Sequence, residues 1–194
     1  ELDVYLTSVT DHYSTASICG PNSKKILKKI FPDKDFSDDA FPHMSYQNGK
    51  IDEINCRIMR ISFTGELSYE INIESKYGKS LWEKCIEAGK EFKITPYGTE
   101  TMHLLRAEKG FIIVGQDTDG TMTPIDLQMD WIVSKKKYDF IGKRSLYRSD
   151  TIREDRKQLV GLLTDDPNEV LEEGAQIVSD MNRKPIEMIG HVTS

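Results

Sequence analysis

The sequence has little of what builds metal and disulfide sites. Its three cysteines, Cys19, Cys56 and Cys85, stand far apart, and only four histidines accompany them in 194 residues. No Cys-x-x-Cys or Cys/His cluster has zinc spacing, and an odd, dispersed set does not make a disulfide framework. Each cysteine lies in an apolar periodic segment, which predicts buried free thiols and a reducing, cytoplasmic compartment. No apolar run approaches the length of a membrane span, and the opening Glu1-Leu2-Asp3-Val4 does not read as a signal peptide. No Gly-x-Gly-x-x-Gly opens a βαβ unit, so no dinucleotide site is expected. Positive charge is not in excess either. With 26 basic against 32 acidic residues the net charge is -6, which argues against a general nucleic-acid or anionic-membrane surface. The lack of an initiator Met predicts a piece of a longer chain.

What the sequence does have is alternating strand and helix patterning. Asp3 to Ile18 reads as two short strands around Asp11-His12-Tyr13. Gly20-Pro21-Asn22 then breaks the chain before a helix with Ile26, Leu27, Ile30 and Phe31 at helical spacing. Lys24, Lys25, Lys28 and Lys29 are expected on its solvated face. Phe36 to Lys50 is polar and reads as a loop or broken helix ending in an Asn48-Gly49 turn. Ile54, Cys56 and Ile58 alternate, then Met59, Ile61 and Phe63 alternate in the opposite phase, the pattern a bulge would give. Thr64-Gly65-Glu66 turns the chain into a return strand. There Leu67, Tyr69, Ile71 and Ile73 share one face, and Glu66, Ser68, Glu70, Asn72 and Glu74 the other.

Ser75 is the expected cap of a helix over Tyr77 to Ala88, ended by Gly89. Thr95 is the expected cap of the next, with Pro96 in its first turn and Gly110 stopping it. Asp117-x-Asp119 resembles the start of a calcium loop, but no glutamate closes it. Trp131 is expected in the core. From about Arg156 the texture changes to short strands at 159–163, 175–178 and 186–192, the last two flanking a hairpin loop at 180–184. The order of elements suits a mixed α+β layer better than a doubly wound sheet. The fold class expected is therefore α+β, with mixed or antiparallel sheets and packed helices. The domain reading is residues 1–155 as one domain and 156–194 as the beginning of a small β-barrel domain.

Two linked segments carry the functional reading: Phe63-Thr64-Gly65-Glu66-Leu67-Ser68-Tyr69-Glu70, and Thr95 to Gly110, with Tyr97-Gly98-Thr99-Glu100-Thr101-Met102-His103 followed by Arg106, Glu108 and Gly110. They resemble the folate-binding region of the aminomethyltransferase (glycine-cleavage T-protein) superfamily, in wording closest to alpha subunits of heterotetrameric sarcosine oxidase. Gly20-Pro21-Asn22, Gly115 to Gly120, Thr123-Pro124, Ser134 to Lys137 and Asp139 to Leu146 extend the similarity in family order.

The resemblance implies that Glu70 binds the pterin of tetrahydrofolate, with Phe63, Tyr97 and Arg106 as further folate-site residues. On pattern alone Glu70 could equally be a solvated strand glutamate, and Arg106 and Glu108 could be ion pairs steadying a helix. Phe63 stands where many relatives have tyrosine, so a hydroxyl is missing. Met102 stands where T-proteins have arginine, which argues against a plain T-protein. The family's catalytic aspartate is expected upstream, so no catalytic residue is assigned in this chain. The implied reaction captures the carbon released from sarcosine as 5,10-methylenetetrahydrofolate. The implied partners are the beta, gamma and delta subunits, including those bearing flavin, and FAD, NAD and FMN belong to regions or subunits outside this chain. A stand-alone folate aminomethyltransferase or demethylase and a non-catalytic folate-binding module are the alternatives.

Overall fold

A computed structural model describes residues 3–194. Contacts divide the chain into two compact units, Glu1–Phe111 and Ile112–Ser194.

The first unit is a four-stranded antiparallel sheet in the order β1-β4-β3-β2, formed by β1 (Tyr13–Cys19), β2 (Tyr46–Ile51), β3 (Ile54–Met59) and β4 (Ser68–Glu74). Two helices, α1 (Ser23–Ile30) and α2 (Gly78–Gly89), lend their apolar stripes to its core. A third, α3 (Thr99–Lys109), follows. The period-2 alternation of β4 decides the layering: Tyr69, Ile71 and Ile73 are buried, as are Ala16 and Ile18 on β1 and Cys56 and Ile58 on β3. Ile26 and Leu27 of α1, Leu81 and Cys85 of α2, and Phe31, Phe36 and Phe41 close over that face. Phe36, Phe41 and Tyr69 pack ring to ring with centroids 5.6–6.0 Å apart, within the range of favourable aromatic pairs. The opposite sheet face is polar.

The α+β reading holds, with an antiparallel sheet and packed helices, but several boundaries move. Residues 3–9 form no strand, and a 3-10 turn at Thr10–His12 leads into the single strand β1. Asn48-Gly49 lies inside β2 rather than in a turn. The β2–β3 hairpin instead reverses at Asp52 and Glu53, both at positive φ (47° and 65°), the backbone a tight two-residue hairpin demands. Gly49 fits in a strand because Phe31 and Lys34 side-chain atoms lie 3.1 Å from where a Cβ would stand. β3 ends at Met59, so the phase change after Ile58 marks a strand end and not a bulge.

Thr95 does not cap α3; its hydroxyl donates to the Lys93 carbonyl, and the helix begins four residues later after Gly98. Ser75 likewise caps nothing and donates to the Asp11 carbonyl. Gly110 does stop α3, in the left-handed region at φ 77°.

The second unit is held by polar contacts more than by a core. Asp126 is 3% exposed and binds Arg156 through both oxygens, at 2.8 Å (Nε–Oδ1) and 2.6 Å (Nη2–Oδ2). It also accepts from the Thr123 amide at 2.8 Å and the Thr123 hydroxyl at 3.0 Å. Arg156 holds its carboxyl well below the usual range, at about 2. Asp117 is similarly occupied, by the Ile113 amide and the Thr193 hydroxyl at 2.7 and 2.6 Å, while Asp119 accepts from the Thr121 amide and hydroxyl. The aspartates of this loop thus accept from its own amides and from hydroxyl and guanidinium donors within the unit. Strands β5 (Gln176–Val178) and β6 (Met188–His191) pair as the expected hairpin, but 159–163 is not a strand. Trp131, expected in the core, is 73% exposed. Among the described residues no helix is long and apolar enough to cross a membrane.

Candidate functional site

The polar face of the first sheet gathers Ser68, Glu70 and Asn72 from β4, Thr15, Ser17 and Cys19 from β1, and Arg57 and Met59 from β3. Register fixes the neighbours: Glu70 lies between Ser17 and Met59, and Ser68 beside Cys19. Glu70 is thus on a central strand, where backbone pairing on both sides makes its position rigid. Its side chain is half-buried. Desolvation raises its pKa above the ordinary glutamate value. Among the described residues no hydrogen bond or ion pair meets its carboxylate, although nearby hydroxyls are engaged with one another: Ser17 Oγ and Ser68 Oγ are 3.3 Å apart. Two residues on, Asn72 accepts from the Thr15 hydroxyl at 2.7 Å, and its Nδ2 is buried with no hydrogen-bond partner. The face therefore holds an acceptor at Glu70 and a donor at Asn72, neither spent among the described residues.

Tyr97, in the segment before α3, reaches the same face. Its hydroxyl lies 3.1 Å from Cys19 Sγ. The ring is 38% exposed, but desolvation of the hydroxyl end, with the Cys19 contact, pushes the phenol up to about 12, so it is neutral at physiological pH. Phe63, in the segment between β3 and β4, lies against α3 instead, tilted on His103 with centroids 6.4 Å apart. Gly65, at φ 77°, lets the 64–66 turn pass against Lys109.

Arg106 is buried and donates to the Phe111 carbonyl at 3.2 Å, beside the backbone bonds that end α3 at Arg106 and Ala107. The structure thus places Glu70 and Tyr97 in one neighbourhood, and Phe63 and Arg106 along α3. Ser17, Cys19, Ser68 and Asn72 were not among the expected site residues. The signal for them was the polar phase of β1 and β4, opposite Ala16, Ile18, Tyr69 and Ile71.

Two grooves lie away from this face. One of about 510 Å³ is lined by Lys24, Lys25, Lys28, Lys29, Phe36, Ser37 and Phe92. The other, of about 440 Å³, lies between Phe31–Lys34 and the β2–β3 hairpin. The lysines of the first are largely engaged: Lys24 with Asp38, Lys29 with Glu91, and Lys28 with the Lys34 carbonyl.

The thiols also differ by position. Cys56 and Cys85 are buried, and desolvation pushes both thiols up, Cys85 to about 11. Cys19 is partly exposed and free. A thiolate-selective reagent at pH 8 is expected to label Cys19 quickly in the native protein and all three only after denaturation. Fast native labelling of Cys85 would contradict the packing of α2 on the sheet.

Comparison with known proteins places this geometry in a family. The family model for the GCVT N-terminal domain matches residues 1–137. The chain is 57% identical over 181 residues, 93% of its length, to the sarcosine oxidase subunit alpha of Corynebacterium sp. (strain P-1), of which it spans 19%. It is 33% identical over 194 residues to the aminomethyltransferase of Thermoanaerobacter pseudethanolicus, covering 99% of this chain and 50% of that protein. Mouse mitochondrial dimethylglycine dehydrogenase is 32% identical over 145 residues, 74% of this chain and 17% of that one. The chain thus spans about a fifth of the length of the sarcosine oxidase alpha subunits it matches. With 137 matched residues covering the four-stranded sheet and all three helices, the chain belongs to the GCVT N-terminal domain family.

Proposed function

We propose that this chain is the folate-binding part of a sarcosine oxidase alpha subunit, taking the one-carbon unit from sarcosine onto tetrahydrofolate as 5,10-methylenetetrahydrofolate. The observation that carries this reading is Glu70: a rigidly held, partly desolvated carboxylate with no partner of its own, at the final glutamate of the Thr64-Gly65-Glu66-x-x-x-Glu70 motif. A pterin offers an N–H and an amino group side by side. A carboxylate accepts both in a charge-assisted, geometrically selective pair. The residues present therefore fit the group. Bound there, tetrahydrofolate would supply the nitrogens that accept the one-carbon unit.

The chain's own work is positioning. Glu70 orients the ring system, Tyr97 and the serine hydroxyls of β1 and β4 bound it on one side, and the packed sheet beneath supplies rigidity. Holding an acceptor in place and limiting water suits capture of a reactive iminium, which hydrolyses in bulk solvent. Phe63, between β3 and β4, packs on His103 of α3, and Arg106 fixes the end of that helix. The catalytic base and the flavin chemistry belong to segments or subunits beyond this chain, and the beta, gamma and delta subunits are its partners. Residues 156–194, with the β5–β6 hairpin, begin a small β-barrel domain. The reduced cysteines suit a cytoplasmic setting.

The test is the full-length protein purified with whatever binds it. Flavin-bearing subunits should co-purify, and sarcosine turnover with tetrahydrofolate present should yield 5,10-methylenetetrahydrofolate in place of formaldehyde. A solitary polypeptide that transfers carbon from an aminomethyl donor would instead establish the aminomethyltransferase reading.

A further inference from the structure

Glu70 does not define its face alone. The hydroxyl of Tyr97 meets a side chain from β1, Cys19 Sγ, at 3.1 Å. Ser17 is the cross-strand partner of Glu70, and Cys19 that of Ser68. Two polar contacts, Cys19–Tyr97 and Ser17–Ser68, therefore lie along one flank of Glu70. Tyr97 precedes α3 in a stretch without regular structure, from Lys93 to Gly98, so its own backbone does little to fix the ring. The contact to β1 does that. Phe63, the other aromatic expected at the site, is taken up by His103 on α3 and leaves Tyr97 as the aromatic beside Glu70.

We infer that Cys19 is a positioning residue for the folate site: its thiol holds the Tyr97 phenol against the Glu70 face, where the ring forms one wall for the bound pterin. The inference rests on the reading of Glu70 as the pterin anchor. A single hydrogen bond to a neutral group contributes roughly 0.5–1.5 kcal/mol. Loosening Tyr97 should thus weaken binding by about 3- to 10-fold and leave the chemistry at the bound ring unchanged.

The experiment uses the full-length assembly and tetrahydrofolate itself, comparing Cys19→Ala, Cys19→Ser, Tyr97→Phe, the double variant Cys19→Ala/Tyr97→Phe, and Glu70→Gln. Cys19→Ala and Tyr97→Phe should each raise the dissociation constant, and KM with it, by about 3- to 10-fold at unchanged kcat. The double variant should be no weaker than either single one, because both remove the same contact. Cys19→Ser, which keeps a donor and acceptor at the position, should recover most of the affinity. In the unmodified protein, saturating tetrahydrofolate should slow alkylation of Cys19, a protection that a purely structural contact would not give.

Wild-type affinity in Cys19→Ala, additive losses in the double variant, or an unprotected Cys19 would each overturn the inference. If Glu70→Gln loses binding while Cys19→Ala does not, only the positioning role fails. If Glu70→Gln binds as wild type, the anchor reading fails and takes this inference with it.

Discussion

Glu70→Gln in the full-length protein is expected to weaken tetrahydrofolate binding by roughly 10- to 100-fold while leaving the fold as stable as before, or slightly more so. The first half follows from chemistry. Glutamine keeps the shape but replaces two acceptor oxygens with one acceptor and one donor, so it can pair with only half of the pterin edge, and the charge assistance is lost; hydrogen bonds to charged groups are worth about 1.5–3 kcal/mol. The second half follows from the structure. The carboxylate is partly desolvated without any partner among the described residues, so its charge opposes folding rather than assisting it. Losing that charge removes the penalty.

The pH dependence has the same origin. The ligand binds the ionised form, so affinity should fall as pH drops through the raised pKa of Glu70, and Glu70→Gln should flatten that dependence. Isothermal titration across pH, alongside urea denaturation, measures both. Unchanged affinity with reduced stability would mean that Glu70 is a structural residue and the assignment is wrong. The 194-residue chain alone should bind weakly, because Glu70 sits half-exposed on an open sheet face and not in either groove.

The largest effect on stability should come from Asp126→Ala, at roughly 3–5 kcal/mol for the second unit. The substitution strands Arg156, whose side chain is 15% exposed, and removing one member of a buried ion pair leaves the other charge uncompensated. It also strips the Thr123 amide and hydroxyl of their acceptor. Acid should act on the same contact. The carboxyl titrates at about 2 in the folded protein, below its ordinary 3.8. Its contribution is therefore complete above about pH 4 and is lost as pH falls toward 2, an amount of about 2 kcal/mol. Chemical denaturation of wild type and Asp126→Ala between pH 7 and 2 gives the comparison. The gap between the two curves should narrow toward the acid end as the carboxyl is protonated. A gap unchanged between pH 7 and 2 would show that packing, not charge, is what the substitution removes. The apolar double variant Asp126→Leu/Arg156→Met should recover much of the loss, since it leaves no orphaned charge.

How far the sequence could be read depended on whether a signal was local. β4 was legible because alternation is written into Leu67 to Glu74 itself, and the same alternation placed Glu70 opposite the core. α1 and the end of α3 were legible from Asn22 and Gly110. The β2–β3 hairpin was misread because Asn48-Gly49 is a strong turn pair in isolation. Packing of Phe31 and Lys34 over Gly49 keeps it extended, and the reversal falls on Asp52-Glu53, which carries no such signature. The start of α3 was misplaced because Thr95-Pro96 has the composition of a helix opening while Lys93, at φ 57°, and the Thr95–Lys93 contact form a turn.

Within the site, Glu70 and Tyr97 could be named from motif wording, but Ser17 and Cys19 could not. Their relevance comes from cross-strand register, which pairs Ser17 with Glu70 and Cys19 with Ser68. In the second unit, the Thr123-x-x-Asp126 spacing is that of a capping box, and the reciprocal bonds form. What no local pattern announces is that Arg156, 30 residues on, completes it.

The alternation along β4 separates two kinds of evolutionary constraint on a single strand. Positions 69, 71 and 73 answer to volume and shape, because they are sealed under the helices and every lost methylene leaves a void. Position 70, on the other side, is only half covered and meets no partner among the described residues. A change there can therefore alter the polar face without disturbing the interior, and a drift in the interior can weaken the fold without altering that face.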